Sequence, residues 1–185
     1  MTNLLSKIAE LISNVFGQRR GGVSPFPREG GPARLLVMRH AEKTGEKTDP
    51  HLSPGGSRRA QALATYIPQK FGKPDFLIAA ATTGRSRRPR ETLEPLASAL
   101  RLGIMDTLGE QEIDKLLDHL CKQTYAGKSG VIAWRHSDIP SLVTALGAPQ
   151  GTTPNSWDDT VFNLIIEMTF SAGAAPRVNQ IIEPF

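Results

Sequence analysis

The sequence predicts an α/β fold, a three-layer sandwich with a largely parallel central sheet flanked by helices. Three observations predict it. Short apolar runs without helical period, at residues 34–39, 75–80 and 130–134, read as buried strands. Segments with apolar residues at helical spacing lie between them, and strands alternating with helices build a parallel sheet covered by helices. The runs lead into charged or polar residues: Arg39-His40 after the first, an arginine-rich turn after the second, Arg135-His136 after the third. In open α/β sheets, ligands bind outside the carboxyl ends of the strands.

At the start of the chain, Leu4, Leu5, Ile8, Leu11, Ile12, Val15 and Phe16 recur at helical spacing. Residues 3–16 are therefore expected to form an amphipathic helix. Such a helix packs on the domain or on a second subunit, making a homodimer contact. A membrane-surface role is weaker, because Lys7 is the only cation within it and Glu10 offsets it. Residues 17–33, rich in Gly, Pro and Arg, read as a linker. The expected division is helix and linker over 1–33 and a compact domain over 34–185.

Within the domain, a polar loop from Thr44 to His51 follows the first strand. Leu52-Ser53-Pro54-Gly55-Gly56 then opens a helix, with Ser53 suited to the N-cap and Pro54 to the first helical position. Ala60, Leu63, Ala64 and Ile67 form its buried stripe. After the second strand, Thr82-Thr83-Gly84-Arg85-Ser86-Arg87-Arg88 leads into a helix with Pro89 in its first turn, running to about Leu100. Residues 111–123 should be helical, with Ile113, Leu116, Leu117 and Leu120 inward. After the third strand, Ser137 or Asp138 can cap a helix with Pro140 in its first turn and Gly147 at its end. Val161 to Phe170 is β-prone, and residues 178–182 suggest a last short strand.

The 185 residues fall within the size of one domain, and 39% hydrophobic residues suffice for an ordinary core. A formal charge of +4 favours anionic ligands without naming one. Cys121 is the sole cysteine, which excludes an internal disulfide framework and fits a reducing compartment. No apolar run approaches the roughly 20 residues needed to span a bilayer. Met1 to Phe16 lacks the continuous apolar core of a secretory signal, so a cytoplasmic location is expected. Aromatic residues are only 6% and show no interleaved stacking surface, so no nucleic acid is expected as partner.

If the three strands are parallel neighbours, their ends meet on one edge of the sheet. Arginine offers a planar fork that matches phosphate oxygens. Histidine serves as proton carrier or nucleophile near neutral pH. A helix N-terminus adds backbone donors and a positive dipole end. Two histidines and at least two arginines there make a site for a phosphoryl group. The order Arg39-His40, Leu52-Ser53-Pro54-Gly55-Gly56, Arg88-Pro89-Arg90-Glu91-Thr92 and His136 resembles the histidine phosphatase, or phosphoglycerate mutase-like, superfamily. The resemblance covers about residues 34–147. The short connections make the chain look most like the small phosphohistidine-phosphatase-type members.

The resemblance implies a covalent route. His40 attacks phosphorus through a neutral ring nitrogen and forms a phosphohistidine. Arg39, Arg88 and His136 hold the oxygens and offset their charge, and water then frees phosphate. No metal or cofactor is implied, and His51 and His119 lack partners at metal-binding intervals. Arg85, Arg87, Arg88 and Arg90 crowd together. Arg88 is four residues before Thr92, so the two share a helical face, and it is the one that fits the pattern. Arg87 and Arg90 read as a solvated basic edge, and Lys43 as a solvated loop residue near the pocket mouth.

Two features depart from the pattern. The residue before the second histidine, usually small, is Arg135, which either borders the pocket or enters a salt bridge. The proton donor for the leaving group is the second. Glu110 lies where many members carry their acid; Glu112 and Asp138 are rivals, and Asp138 also suits a helix cap. Without an acid, aryl phosphates and phosphoramidates are favoured over alkyl esters. The leading expectation is a metal-independent phosphatase acting on a phosphorylated small molecule or phosphoprotein. Its alternative is a weak or inactive phosphate- or phosphoprotein-binding module of the same fold. A phosphoglycerate mutase ranks third, since little insertion lies between the motifs to enclose a bisphosphate.

Overall fold

The computed structural model describes residues 23–26 and 30–185. The helix expected over 3–16 and much of the expected linker lie outside the described residues. Strand β1 (Arg34–Arg39) is followed by helix α1 (Pro54–Phe71), β2 (Phe76–Ala79), α2 (Arg88–Leu100) and β3 (Ile104–Met105). Then come α3 (Ile113–Leu120), a short 3₁₀ turn (Gln123–Tyr125), β4 (Ser129–Trp134), α4 (Ile139–Ala145), β5 (Leu164–Thr169) and β6 (Arg177–Ile182).

The strands form one six-stranded sheet in the order β3-β2-β4-β1-β5-β6. Strands β3, β2, β4 and β1 are mutually parallel; β5 pairs antiparallel with β1, and β6 antiparallel with β5. Alternate side chains of a strand face opposite ways, and that divides the core. Leu35, Val37, Ile78, Ile132 and Trp134 pack with Leu116 and Leu120 of α3 and Ile139, Leu142 and Val143 of α4. Leu36, Met38, Leu77 and Val131 pack with Leu63 and Ile67 of α1 and Leu93 and Leu96 of α2. Both faces of β1 are covered, which is why its sequence is an unbroken apolar run. The three-layer α/β architecture is thus the one expected. Among the described residues, no helix is long and apolar enough to cross a membrane.

Several details differ from expectation. Part of the expected linker packs on the domain: Phe26 is buried, edge-on to Phe170 at 4.9 Å, and the Ser24 N–H donates to the Ala174 carbonyl. Helix α3 is shorter than the 111–123 expected, because the Glu112 side chain turns back to accept the Gly109 N–H (2.8 Å). Neither Ser137 nor Asp138 caps α4 through its side chain. Asp138 occupies the cap position with helical dihedrals (φ −103°, ψ −12°), not the extended ones an N-cap bond needs, and its carboxylate accepts from Ser137 Oγ instead. Strand β5 begins only at Leu164, because the Val161 carbonyl and the Phe162 ring serve the site described below. Ser53 caps α1 as expected, accepting the Gly56 N–H at 3.0 Å.

Candidate active site

Register places the chemistry. Strands β1 and β4 pair with Arg39 opposite Trp134, and β4 and β2 with Ala133 opposite Ala79. The ladder runs one residue further at both seams: the His40 N–H donates to the Trp134 carbonyl and the Ala80 N–H to the Ala133 carbonyl. Arg39-His40, Arg135-His136 and the turn leading to Arg88 therefore share one edge. They line a cleft of about 840 Å³ with Lys43, Lys47, Arg85, Glu110 and Glu112.

Arg39 is 1% exposed. Its Nη1 donates to the carbonyls of Asp159 (2.7 Å) and Val161 (3.2 Å), and its guanidinium lies 3.7 Å from the centre of the Phe162 ring. Nε and Nη2 are buried without a partner. Burial, reinforced by Arg88, pulls its pKa from 12.5 to about 10 against the pull of Asp159 and Glu42, so it stays charged at neutral pH. Buried donors are normally bonded, and each orphan calls for an explanation. Two orphan donors on a buried cation are suited to an anion.

His40 is 5% exposed. Its Nδ1 lies 2.7 Å from the Ala41 carbonyl. A carbonyl only accepts, so Nδ1 carries the hydrogen and Nε2 keeps its lone pair. Burial lowers the pKa of His40 from 6.5 to about 3; the Ala41 bond opposes this, and Arg39, Arg88 and His136 add to it. The ring is neutral across the physiological range, as a nitrogen nucleophile must be.

Arg88 opens α2. Its Nη1 donates to the Asp49 carbonyl (2.9 Å), while Nε is buried without a partner. Burial holds its pKa below the ordinary arginine value. The spacing to Thr92 now has a physical reason. Thr92 is fully buried; its Oγ1 donates to the Arg88 carbonyl (2.7 Å) and accepts the Ala41 N–H (2.9 Å). One hydroxyl ties the helix that presents Arg88 to the residue after His40. Gly56 has a similar reason: a Cβ there would meet the Glu42 carbonyl at 2.3 Å. The start of α1 thus rests on the backbone two residues past His40, held by the Ser53 N–H donating to the same carbonyl. Arg59 of α1 holds the Glu42 side chain through Nε at 2.9 Å.

His136 places Nε2 2.5 Å from Asp159 Oδ1 and leaves Nδ1 buried without a partner. Burial and then Arg39 hold its pKa below 6.5, against the pull of Asp159. Arg135 settles both readings left open for it: it borders the cleft and pairs with Glu110 at 3.0 Å. Glu110 also receives the Trp134 indole N–H on its backbone carbonyl (2.9 Å). Glu112 pairs with Lys115. Asp138 is not among the cleft-lining residues.

Arg87 pairs with Glu91 (3.7 Å), and Arg90 with Glu94 and Asp106; neither lines the cleft, whereas Lys43 does. His51 meets Glu91, and His119 meets the Tyr125 hydroxyl. Among the described residues, no group of three or more His, Cys, Asp or Glu side chains is placed to hold a metal ion. Sequence reasoning missed the segment before β5, which supplies Asp159 and Phe162. An ordinary polar loop such as Trp157-Asp158-Asp159-Thr160 carries no sign of that use. The one available hint was Phe162, an aromatic residue within the β-prone run.

No protein-family model matches this sequence, and no curated protein matches it. Solved structures do match in shape. The protein histidine phosphatase SixA complexed with tungstate is 15% identical with a TM-score of 0.57, over 80% of this chain and 96% of that one. A mycobacterial glucosyl-3-phosphoglycerate phosphatase with inorganic phosphate is 14% identical with a TM-score of 0.54, over 80% and 95%. A phosphoglycerate mutase from Plasmodium falciparum is 11% identical with a TM-score of 0.53, over 80% and 89%. The chain has the fold of the histidine phosphatase, or phosphoglycerate mutase-like, superfamily.

Proposed function

We propose that this chain is a metal-independent phosphatase that works through a phosphohistidine on His40. The observation that carries the reading is the set of orphan polar atoms beside a neutral imidazole. Arg39 Nε and Nη2, Arg88 Nε and His136 Nδ1 are all buried without partners. Leaving such groups unbonded is costly, so their clustering is characteristic of a binding site for a polar group. A phosphoryl group satisfies them: the guanidinium N–H groups donate to its oxygens, and His136 adds a donor when protonated.

In this scheme the Nε2 lone pair of His40 forms a bond to phosphorus as the bond to the leaving group breaks. The arginines offset the charge on the oxygens throughout. Water then attacks the phosphohistidine, the P–N bond breaks, and phosphate leaves. Removing one such donor typically costs about 10²–10³ in kcat. The leaving group needs a proton, and the carboxylates at the cleft, Glu110 and Glu112, are each paired with a cation. Aryl phosphates, whose leaving group needs little protonation, and phosphoramidates, whose nitrogen can take its proton from water before the P–N bond breaks, are the favoured substrates. The same pairing favours one second reading, a module of this fold that binds phosphate or a phosphoprotein and turns it over weakly or not at all.

The test is hydrolysis of an aryl phosphate with chelator present, comparing the parent with His40→Ala. Turnover lost in the variant supports the enzyme. Phosphate binding without turnover in the parent supports the module. Turnover at the parent's rate in His40→Ala removes the proposed nucleophile.

A further inference from the structure

We propose that Asp159 is a positioning residue for His136, fixing the ring with Nδ1 toward the phosphoryl pocket and sustaining its charged form when an oxyanion binds. The proposal rests on the phosphatase reading for the pocket, but the His136–Asp159 contact is geometric.

Asp159 lies in a braced segment. The Trp157 indole N–H donates to the Val161 carbonyl (2.9 Å), the Val161 N–H to the Asp158 carbonyl (3.1 Å), and the Thr160 N–H to Asp158 Oδ1 (2.7 Å). From this brace Asp159 reaches two site residues at once. Its carbonyl accepts Arg39 Nη1 at 2.7 Å, and its carboxylate meets His136 Nε2 at 2.5 Å. The pairing decides what the ring offers the pocket. A carboxylate oxygen 2.5 Å from Nε2 calls for the ring hydrogen there, so a neutral His136 presents a bare lone pair at Nδ1. That lone pair repels a phosphoryl oxygen. The imidazolium presents Nδ1–H instead and bonds it.

The charged form has little other support. Arg39, Arg135 and Lys43 all act against it, and His40, neutral, lends no negative charge. Asp159 is the group that acts for it. Oxyanion binding should therefore take up a proton at His136, and Asp159 should set the pH range over which this happens. A carboxylate that holds a histidine in one tautomer and stabilises its cation is an established device in other hydrolases.

The test compares the parent with Asp159→Asn, which keeps the acceptor oxygen and removes the charge, and Asp159→Ala, which removes both. Imidazole nitrogen NMR of the anion-free proteins should show His136 titrating at lower pH in Asp159→Asn than in the parent. The Nε2–H tautomer should persist in Asp159→Asn and be lost as a single form in Asp159→Ala. Inorganic phosphate binding, followed by calorimetry in buffers of different ionisation enthalpy, should show uptake of about one proton by the parent above the free His136 midpoint. In Asp159→Asn, phosphate affinity should fall about tenfold near neutral pH and recover toward about pH 5. An unchanged His136 titration and an unchanged affinity profile in Asp159→Asn overturn the proposal, and a lowered melting temperature with both unchanged does so too, by assigning Asp159 to loop structure alone. A parent that neither binds phosphate nor turns over an aryl phosphate, while the His136 titration shifts as expected, refutes the phosphatase reading and leaves the pairing intact.

Discussion

Replacing Thr92 by valine should harm activity more than stability, although Thr92 is fully buried and does not line the cleft. Its hydroxyl is fully buried, donates to the Arg88 carbonyl at 2.7 Å and accepts the Ala41 N–H at 2.9 Å. Valine keeps the shape and removes both bonds. The Ala41 N–H is left buried and unpaired, which costs about 1–3 kcal/mol. For a domain of this size each kcal/mol lowers Tm by about 2–4 °C, so a fall of about 2–12 °C is expected. The bond also couples Arg88 to the residue after His40. Losing it lets the two drift, and a misplacement of about 1 Å costs on the order of 10²-fold in rate. Thr92→Ser keeps the hydroxyl and loses one methyl, costing about 1 kcal/mol with kcat/KM near that of the parent. Thermal melting and aryl phosphate kinetics on both variants decide the matter. Valine at the parent's kcat/KM with serine strongly impaired would refute the reasoning, because packing and not the hydroxyl would then be at work.

Gly56→Ala should lower stability in urea by about 1–3 kcal/mol or more, since its Cβ would sit 2.3 Å from the Glu42 carbonyl and push α1 off the segment that follows His40. Stability should also fall with acid through His40. Its folded pKa, about 3, is depressed below the ordinary 6.5, so between these values the unfolded chain binds a proton that the folded chain declines. Unfolding free energy therefore drops as pH falls through this window, by up to about 1.4 kcal/mol per pH unit. His40→Asn, which cannot titrate, should show a flatter fall in acid urea titrations, and an equally steep fall would contradict a neutral His40. Glu110→Gln should leave aryl phosphate turnover within about threefold of the parent, because an aryl leaving group needs little protonation; a loss of about a hundredfold would instead make Glu110 the acid.

The sheet and most of the pocket were readable from the sequence because their signals are local. β1, β2 and β4 are buried on both faces and so are apolar runs, leading into charged or polar residues. Arg39 and His40 are adjacent, and Arg88 and Thr92 lie one helical turn apart. What could not be read is long-range. Arg39 finds its carbonyl partner 120 residues away, in a loop whose composition resembles any surface turn. β3 is two residues long, too short for any periodicity to show. Asp138 stands at the cap of α4 as its residue type suggests, but the backbone dihedrals decide whether a cap side chain can bond, and these do not allow it. The lowered pKa of His40 depends mainly on burial, which no single residue encodes.

The most direct test is to trap the covalent form. The protein is mixed with a radiolabelled aryl phosphate, quenched in alkali and mapped by peptide. A phosphoryl group on His40, stable to base, labile to acid and absent from His40→Ala together with turnover, is the expected result. Turnover by the parent with no phosphoryl group ever found on His40, or with one on a different residue, would contradict the mechanism at its root.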